Sequence, residues 1–96
     1  MSGEPAFTIT ATDGRLVLSG ELDLSTGDEL LAAAADATRG SSLVVDLSGV
    51  SFVDSVGLRT LLRLRREHPA MRLEGVTHQL RRLAEIAGVA EHLFGS

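Results

Sequence analysis

The chain contains no cysteine, which excludes disulfides, thiol catalysis and cysteine-based zinc sites together. It contains no lysine either: all nine basic residues are arginine. A phosphate-cradling P-loop lysine, a Schiff-base lysine and a lysine general base are therefore excluded. Tryptophan and tyrosine are absent and the net charge is −4. Both facts argue against nucleic-acid binding, which draws on a basic surface or on exposed aromatic stacking platforms. Apolar runs such as Leu43-Val44-Val45 fall far short of the roughly 20 residues that cross a bilayer as a helix. The N-terminus has no basic stretch leading into an apolar one, and the expected location is cytoplasmic.

The chain has 96 residues, 44% of them hydrophobic and 23% charged, enough apolar material to fold unaided. A chain of this length buries only roughly two-thirds of its unfolded surface, too little for two cores. One domain over residues 1–96, with one site, is expected.

Residues 6–12 alternate in the manner of a strand, Asp13-Gly14 is a hairpin turn, and Arg15–Leu22 alternates again. Thr26 and Glu29 stand at capping-box spacing before a helical stripe of Leu30, Leu31, Ala34 and Ala35, which ends at Arg39-Gly40. Leu43–Leu47 is apolar except for Asp46 and reads as a central strand covered on both faces. Ser55 to about Glu67 reads as a second helix, with Leu58, Leu61 and Leu62 inward, Arg59, Arg63 and Arg66 outward, and His68-Pro69 closing it. Met71–Val76 is a short strand. Thr77 caps a third helix, carrying Leu80, Leu83, Ala84 and Ala87 and ending at Gly88, and Val89–Phe94 packs back as a last helical turn. The order β-β-α-β-α-β-α predicts an α/β fold with a mixed four-stranded sheet, parallel after the opening hairpin, and helices packed on it.

The segment Phe52-Val53-Asp54-Ser55-Val56-Gly57-Leu58 places a hydroxyl where a buried strand hands over to a helix. Functional sites in α/β folds lie at the carboxyl ends of strands, and a helix N-terminus tolerates an added phosphate. Serine or aspartate before a helix is also the common N-cap, a reading compatible with modification. A hydrolase elbow G-x-S-x-G is ruled out by Val53. Asp23, Asp46 and Asp54 are residue types that serve a magnesium site, but read better as the acidic rim of a docking surface. His68, His78 and His92 lie at helix ends or in the tail, as solvated histidines do.

The run Asp46-Leu47-Ser48-Gly49-Val50-Ser51-Phe52-Val53-Asp54-Ser55-Val56-Gly57-Leu58 resembles the signature of STAS-domain anti-sigma factor antagonists. Gly20-Glu21-Leu22-Asp23 resembles their second hallmark, and the resemblance spans nearly the whole chain. It implies a STAS-like sandwich in which the serine after the aspartate of D-S-x-G-L, here Ser55, is phosphorylated by an anti-sigma factor that is itself an ATP-dependent serine kinase. The unphosphorylated antagonist then binds that kinase and frees the sigma factor, and a serine phosphatase resets the switch. Such partner switching regulates transcription in stress response and sporulation. Glu21, Asp23, Asp54, Ser55, Val56, Gly57, Leu58 and Arg59 form the implied partner-binding set. The protein would have no catalysis, metal or cofactor of its own. Val56 stands where many members carry a second small hydroxyl residue, and Arg59 where a small residue is common. The alternative is a STAS accessory subunit of a lipid ABC transporter or signalling assembly, gripping an ATPase constitutively.

Overall fold

The computed structural model describes residues 7–37 and 42–94. The chain runs β1 (Phe7–Thr12), β2 (Arg15–Leu22), α1 (Gly27–Ala37), β3 (Val44–Val53), α2 (Ser55–Glu67), β4 (Arg72–Glu74), α3 (His78–Ile86) and α4 (Ala90–Phe94). The sheet order is β1-β2-β3-β4, with β1 antiparallel to β2 and the other two pairs parallel. The hairpin turns at Gly14, whose φ of 68° lies in the left-handed region that costs glycine little. The expected α/β fold and mixed four-stranded sheet are the observed ones, with a short α4 at the place of the last helical turn. The predicted end of the first helix at Arg39-Gly40 lies outside the described residues.

Leu16, Leu18 and Leu22 of β2 and Val45, Leu47, Val50 and Val53 of β3 join one buried cluster with Leu30 and Ala34 of α1 and Leu58, Leu61 and Leu64 of α2. Leu80, Ala84 and Leu93 extend the cluster under α3 and α4. Each fully buried leucine contributes about 1.5–3 kcal/mol relative to exposure. Ala87, expected in the α3 stripe, is exposed and forms the C-cap instead.

Two expectations for β3 are corrected. The strand runs on to Val53, and among the described residues the helices cover one face of it: Val45 and Leu47 are buried, while Val44 and Asp46 are half-buried on the other side. The apolar pattern is hard to follow past Leu47 because β3 carries extra residues against β2. Val17 pairs with Asp46 but Ser19 with Gly49, and Gly20 pairs with Val50 but Glu21 with Phe52. Each bulge shifts the inward position by one, so core residues fall at Leu47, Val50 and Val53, a spacing of three. A side chain at Gly49 would put its Cβ 2.8 Å from the Leu18 carbonyl oxygen, so the bulge requires glycine there.

Asp46 belongs to the outer sheet face and not to an acidic rim with Asp23 and Asp54. It lies eight residues before Asp54, roughly 20–25 Å along a strand. Its carboxylate accepts from the Ser48 amide at 2.9 Å and from Arg15 Nη2 at 3.2 Å, and the same Nη2 reaches Glu74 Oε1 at 2.9 Å. Arg15 thus separates two carboxylates that register puts side by side on β3 and β4. The strand β4 is shorter than expected, ending before Gly75 with φ 65°.

The Ser48 amide chiefly, then the Ser48 hydroxyl and Arg15, hold the Asp46 carboxyl below its ordinary pKa. A folded-state pKa below the unfolded value of about 3.9 stabilises above that value, and the contribution is lost as pH falls through the folded pKa. Asp46→Asn is therefore expected to flatten the acid limb of stability below about pH 4, measured by urea melts across that range. An unchanged acid limb would contradict the assignment.

Candidate functional site

The carboxyl ends of β2 and β3 lie side by side, Leu22 opposite Val53, and the Asp54 amide donates to the Leu22 carbonyl at 3.3 Å. Asp23 and Asp54, the first residues past their strands, are consequently neighbours on one edge. Asp54 is the N-cap of α2: in extended conformation, its Oδ1 accepts from the Gly57 amide at 2.7 Å. Ser55 is the first residue of the helix, exposed, and its hydroxyl has no hydrogen-bond partner among the described residues. Capping thus falls to the aspartate and leaves the serine hydroxyl available.

Gly57 determines how closely α2 docks. A Cβ there would collide with the Leu22 carbonyl oxygen and stand 3.1 Å from Val53 Cγ1, so no side chain fits without moving backbone. Gly57 and Leu58, expected in the partner-binding set, are both buried and support the site from beneath. Leu58 is part of the core cluster.

Gln79, to which no sequence pattern points, holds the opposite edge of the junction. Its Oε1 accepts from the Val53 amide at 3.0 Å and its Nε2 donates to the Val53 carbonyl at 2.9 Å. Because β4 pairs only with Val44, Val45 and Asp46, the outward groups of β3 at Val53 lack a strand partner. The Gln79 amide supplies the same donor and acceptor as a neighbouring strand. A glutamine at the second position of a helix carries no such signal in sequence; only α3 packing on β3 brings it there.

The loop from β2 to α1 forms a turn of its own. Asp23 Oδ1 accepts from the amide and hydroxyl of Ser25 at 3.0 and 2.8 Å, and Thr26 Oγ1 accepts from the Asp23 amide at 2.9 Å. This reciprocal arrangement has the logic of a capping box, placed at Asp23 and Thr26 rather than at the expected Thr26 and Glu29. Thr26 is buried and Glu29 exposed, so the threonine hydroxyl faces back into the loop. The Ser25 hydroxyl chiefly holds the Asp23 carboxyl below its ordinary pKa, against the opposing effect of burial.

The turn thrusts Leu24 into solvent, 77% exposed. From there a groove of about 430 Å³ runs between α1 and α2, floored by Leu31, Val56 and Leu62 and rimmed by Arg59 and Arg66. The helices approach closely because position 27 is glycine: a Cβ there would lie 2.6 Å from Thr60 Oγ1. Arg63 pairs with Glu67 at 2.9 Å, whereas Arg59 and Arg66 have no ion-pair partner among the described residues. Arg59 is one helical turn beyond Ser55 and joins the site to the groove. Glu21 is instead exposed on the outer sheet face, opposite the 45% exposed Phe52. Among the described residues, no group of three or more histidine, aspartate or glutamate side chains is placed to hold a metal ion, and no helix is long and apolar enough to cross a membrane.

Gly57→Ala is expected to destabilise the fold by about 1–3 kcal/mol, the cost of overpacking, because the obstructing atom is a backbone carbonyl. Ser55→Ala should stay within about 0.5 kcal/mol, as for an exposed side chain making no such contact. Gln79→Ala should speed hydrogen exchange at the Val53 amide. Urea melts and exchange rates check all three, and equal stabilities of the Gly57 and Ser55 variants would contradict the division of roles.

Known proteins share this fold. The family model described as Mlab, STAS domain, matches residues 6–95. No curated protein sequence matches the chain. Among solved structures, an anti-sigma factor antagonist from Mycobacterium paratuberculosis is similar at TM-score 0.68 and 28% identity, over 93% of this chain and 81% of its own. The anti-sigma factor antagonist SpoIIAA in its unphosphorylated form gives TM-score 0.64 at 24% identity, over 88% and 83%. The murine anion transporter Slc26a9 in its inward-facing state gives 0.67 at 22% identity over 83% of this chain, which spans only 15% of the transporter. At the two lower identities the likeness is one of fold. The family match over almost every residue, on the sheet order and helix packing described above, shows that this chain belongs to the STAS-domain family.

Proposed function

We propose that the chain is an anti-sigma factor antagonist whose unphosphorylated form binds an anti-sigma factor serine kinase, and whose binding is switched off by phosphorylation at Ser55. The observation that carries this reading is the exposed, unpartnered Ser55 hydroxyl on the first residue of α2. It is framed by groups that keep the backbone still: the Asp54 cap, the Gly57 contact and the Gln79 clamp. The 28% identity to a mycobacterial anti-sigma factor antagonist supports the same reading.

Phosphorylation adds about −1.5 to −2 charges at neutral pH. At the N-terminus of α2 the helix dipole favours that charge, so the fold persists while the surface changes sign. The phosphate would stand on the edge that already carries Asp54 and Asp23. A partner that accepted a neutral hydroxyl beside two carboxylates would then face a dense negative patch, and like charges brought together at an interface cost several kcal/mol. Arg59, one turn along, offsets part of that charge. In the bound state the exposed Leu24 and the α1–α2 groove offer the apolar contact, and Asp23, Asp54, Val56 and Arg59 its surroundings. Glu21, on the outer sheet face, contacts only a partner large enough to wrap the sheet edge. The kinase supplies ATP and magnesium, and a serine phosphatase restores the hydroxyl.

Wild-type, Ser55→Ala and Ser55→Asp proteins used as parallel baits in native-host lysate, followed by direct titration of the retained ATPase, test the mechanism. Wild type and Ser55→Ala should bind a serine kinase alike, and Ser55→Asp at least about tenfold more weakly, or ~1.4 kcal/mol. Incubation with that kinase and ATP should add one phosphate to wild type and none to Ser55→Ala. Equal affinity of the alanine and aspartate variants would overturn charge-gated switching. Recovery of a transporter ATPase by every bait would assign the chain to the constitutive accessory-subunit reading.

A further inference from the structure

At the opposite end of the sheet from Ser55, a cavity of about 370 Å³ lies between β4, the end of α2, α3 and α4. Its charged lining is entirely cationic: Arg65, Arg72 and Arg81, with no acidic residue. Three of the nine arginines of a chain of net charge −4 thus line one concavity. Their states differ. Arg65 is occupied, donating through Nε and Nη2 to the Leu93 carbonyl at 3.1 and 2.7 Å and through Nη1 to the Pro69 carbonyl at 3.3 Å. Neutral carbonyls use its donors but leave its charge unbalanced.

Arg72 is 75% exposed and has only a 3.8 Å approach to Glu74, whose nearer partner is Arg15 at 2.9 Å. Arg81 lies over the Phe94 ring, 4.8 Å from its centroid, a contact that uses the face of the guanidinium and leaves its edge donors free. The other walls of the cavity include the apolar Leu73, Val76 and Phe94. The volume falls within the range of small-molecule sites, which combine apolar walls with a few convergent polar groups.

We propose that this cavity binds a small amphiphilic organic anion, with a phosphate or carboxylate held by Arg81 and by Arg72 turned away from Glu74 across the edge of β4, in the field of Arg65. The apolar body of the ligand packs on Leu73, Val76 and Phe94. Planar guanidinium forks match the oxygen geometry of both headgroups, and the apolar walls select against a bare inorganic ion. The site stands independently of the Ser55 reading, because β4 pairs with the first residues of β3 and Ser55 follows the last.

Phenyl phosphate, inorganic phosphate and benzyl alcohol, each titrated against the full chain at low salt and followed by amide chemical shifts, test the proposal. Phenyl phosphate should bind saturably, shifting Leu73, Val76 and Phe94, with inorganic phosphate weaker and benzyl alcohol weaker still. Arg72→Ala and Arg81→Ala should each weaken phenyl phosphate about tenfold, as for loss of one charge-assisted contact, while Arg63→Ala, paired elsewhere with Glu67, leaves it unchanged. Arg81→Lys should retain part of the binding, because charge survives without the fork. Equal response to inorganic and phenyl phosphate would mean an adventitious ion only. Binding indifferent to both arginine replacements, or no binding of phenyl phosphate, would equally overturn the site.

Discussion

The close approach of Gly57 to the Leu22 carbonyl is the contact on which the rest of this architecture depends. Parallel strands β2 and β3 end in register, and the next helix starts immediately after β3 without a loop to lift it away. With hydrogen in place of Cβ, the first turn of α2 settles directly on the end of the sheet. Its N-terminal amides can then be capped by Asp54, whose own amide is tied to Leu22. Every outward feature of the junction follows from that seating. Ser55 has to project, because the backbone beneath it is held on both sides.

The junction is rigid by hydrogen bonding as well as by packing. Gln79 completes the ladder where β4 has ended, and the Asp23–Thr26 turn satisfies the corresponding end of β2 through side chains. Buried backbone groups left unpaired are costly, so a sheet whose last strand has three residues needs substitutes along its exposed edge. A side-chain amide is a good substitute, carrying donor and acceptor at the spacing of a peptide group. Under the phosphorylation proposed for Ser55, this stiffness would make added charge change what a partner meets instead of being absorbed by local rearrangement.

The arginines divide by environment although they are chemically alike. Arg15 bridges two carboxylates across the outer sheet face, and Arg65 holds the chain near α4 through main-chain carbonyls. Arg63 has an intrahelical partner. Among the described arginines with free donors, Arg59 and Arg66 line the α1–α2 groove and Arg72 and Arg81 the far cavity. With lysine absent, fixed planar forks provide all the arginine-type cationic recognition on this surface.

Much of this was determined by the sequence alone. The hairpin at Asp13-Gly14, the sheet with its parallel strands, the limits of α2 and the position of Ser55 at a strand-to-helix junction follow from short-range patterns: alternation, helical stripes, caps and glycine. Short-range patterns carry that information because turn chemistry and periodicity act within a few residues. The tertiary structure decided what depends on distant partners. The true length of β3 was hidden because its two bulges exist only against β2. Asp46 left the acidic rim because Arg15 and Glu74, far apart in the chain, meet on the outer sheet face. Asp23 rather than Thr26 organised the entry to α1, because the buried threonine turned its hydroxyl back into the loop. Gln79 acquired a role only when α3 packed on β3, since hydrogen bonding between residues 26 positions apart leaves no mark on local periodicity.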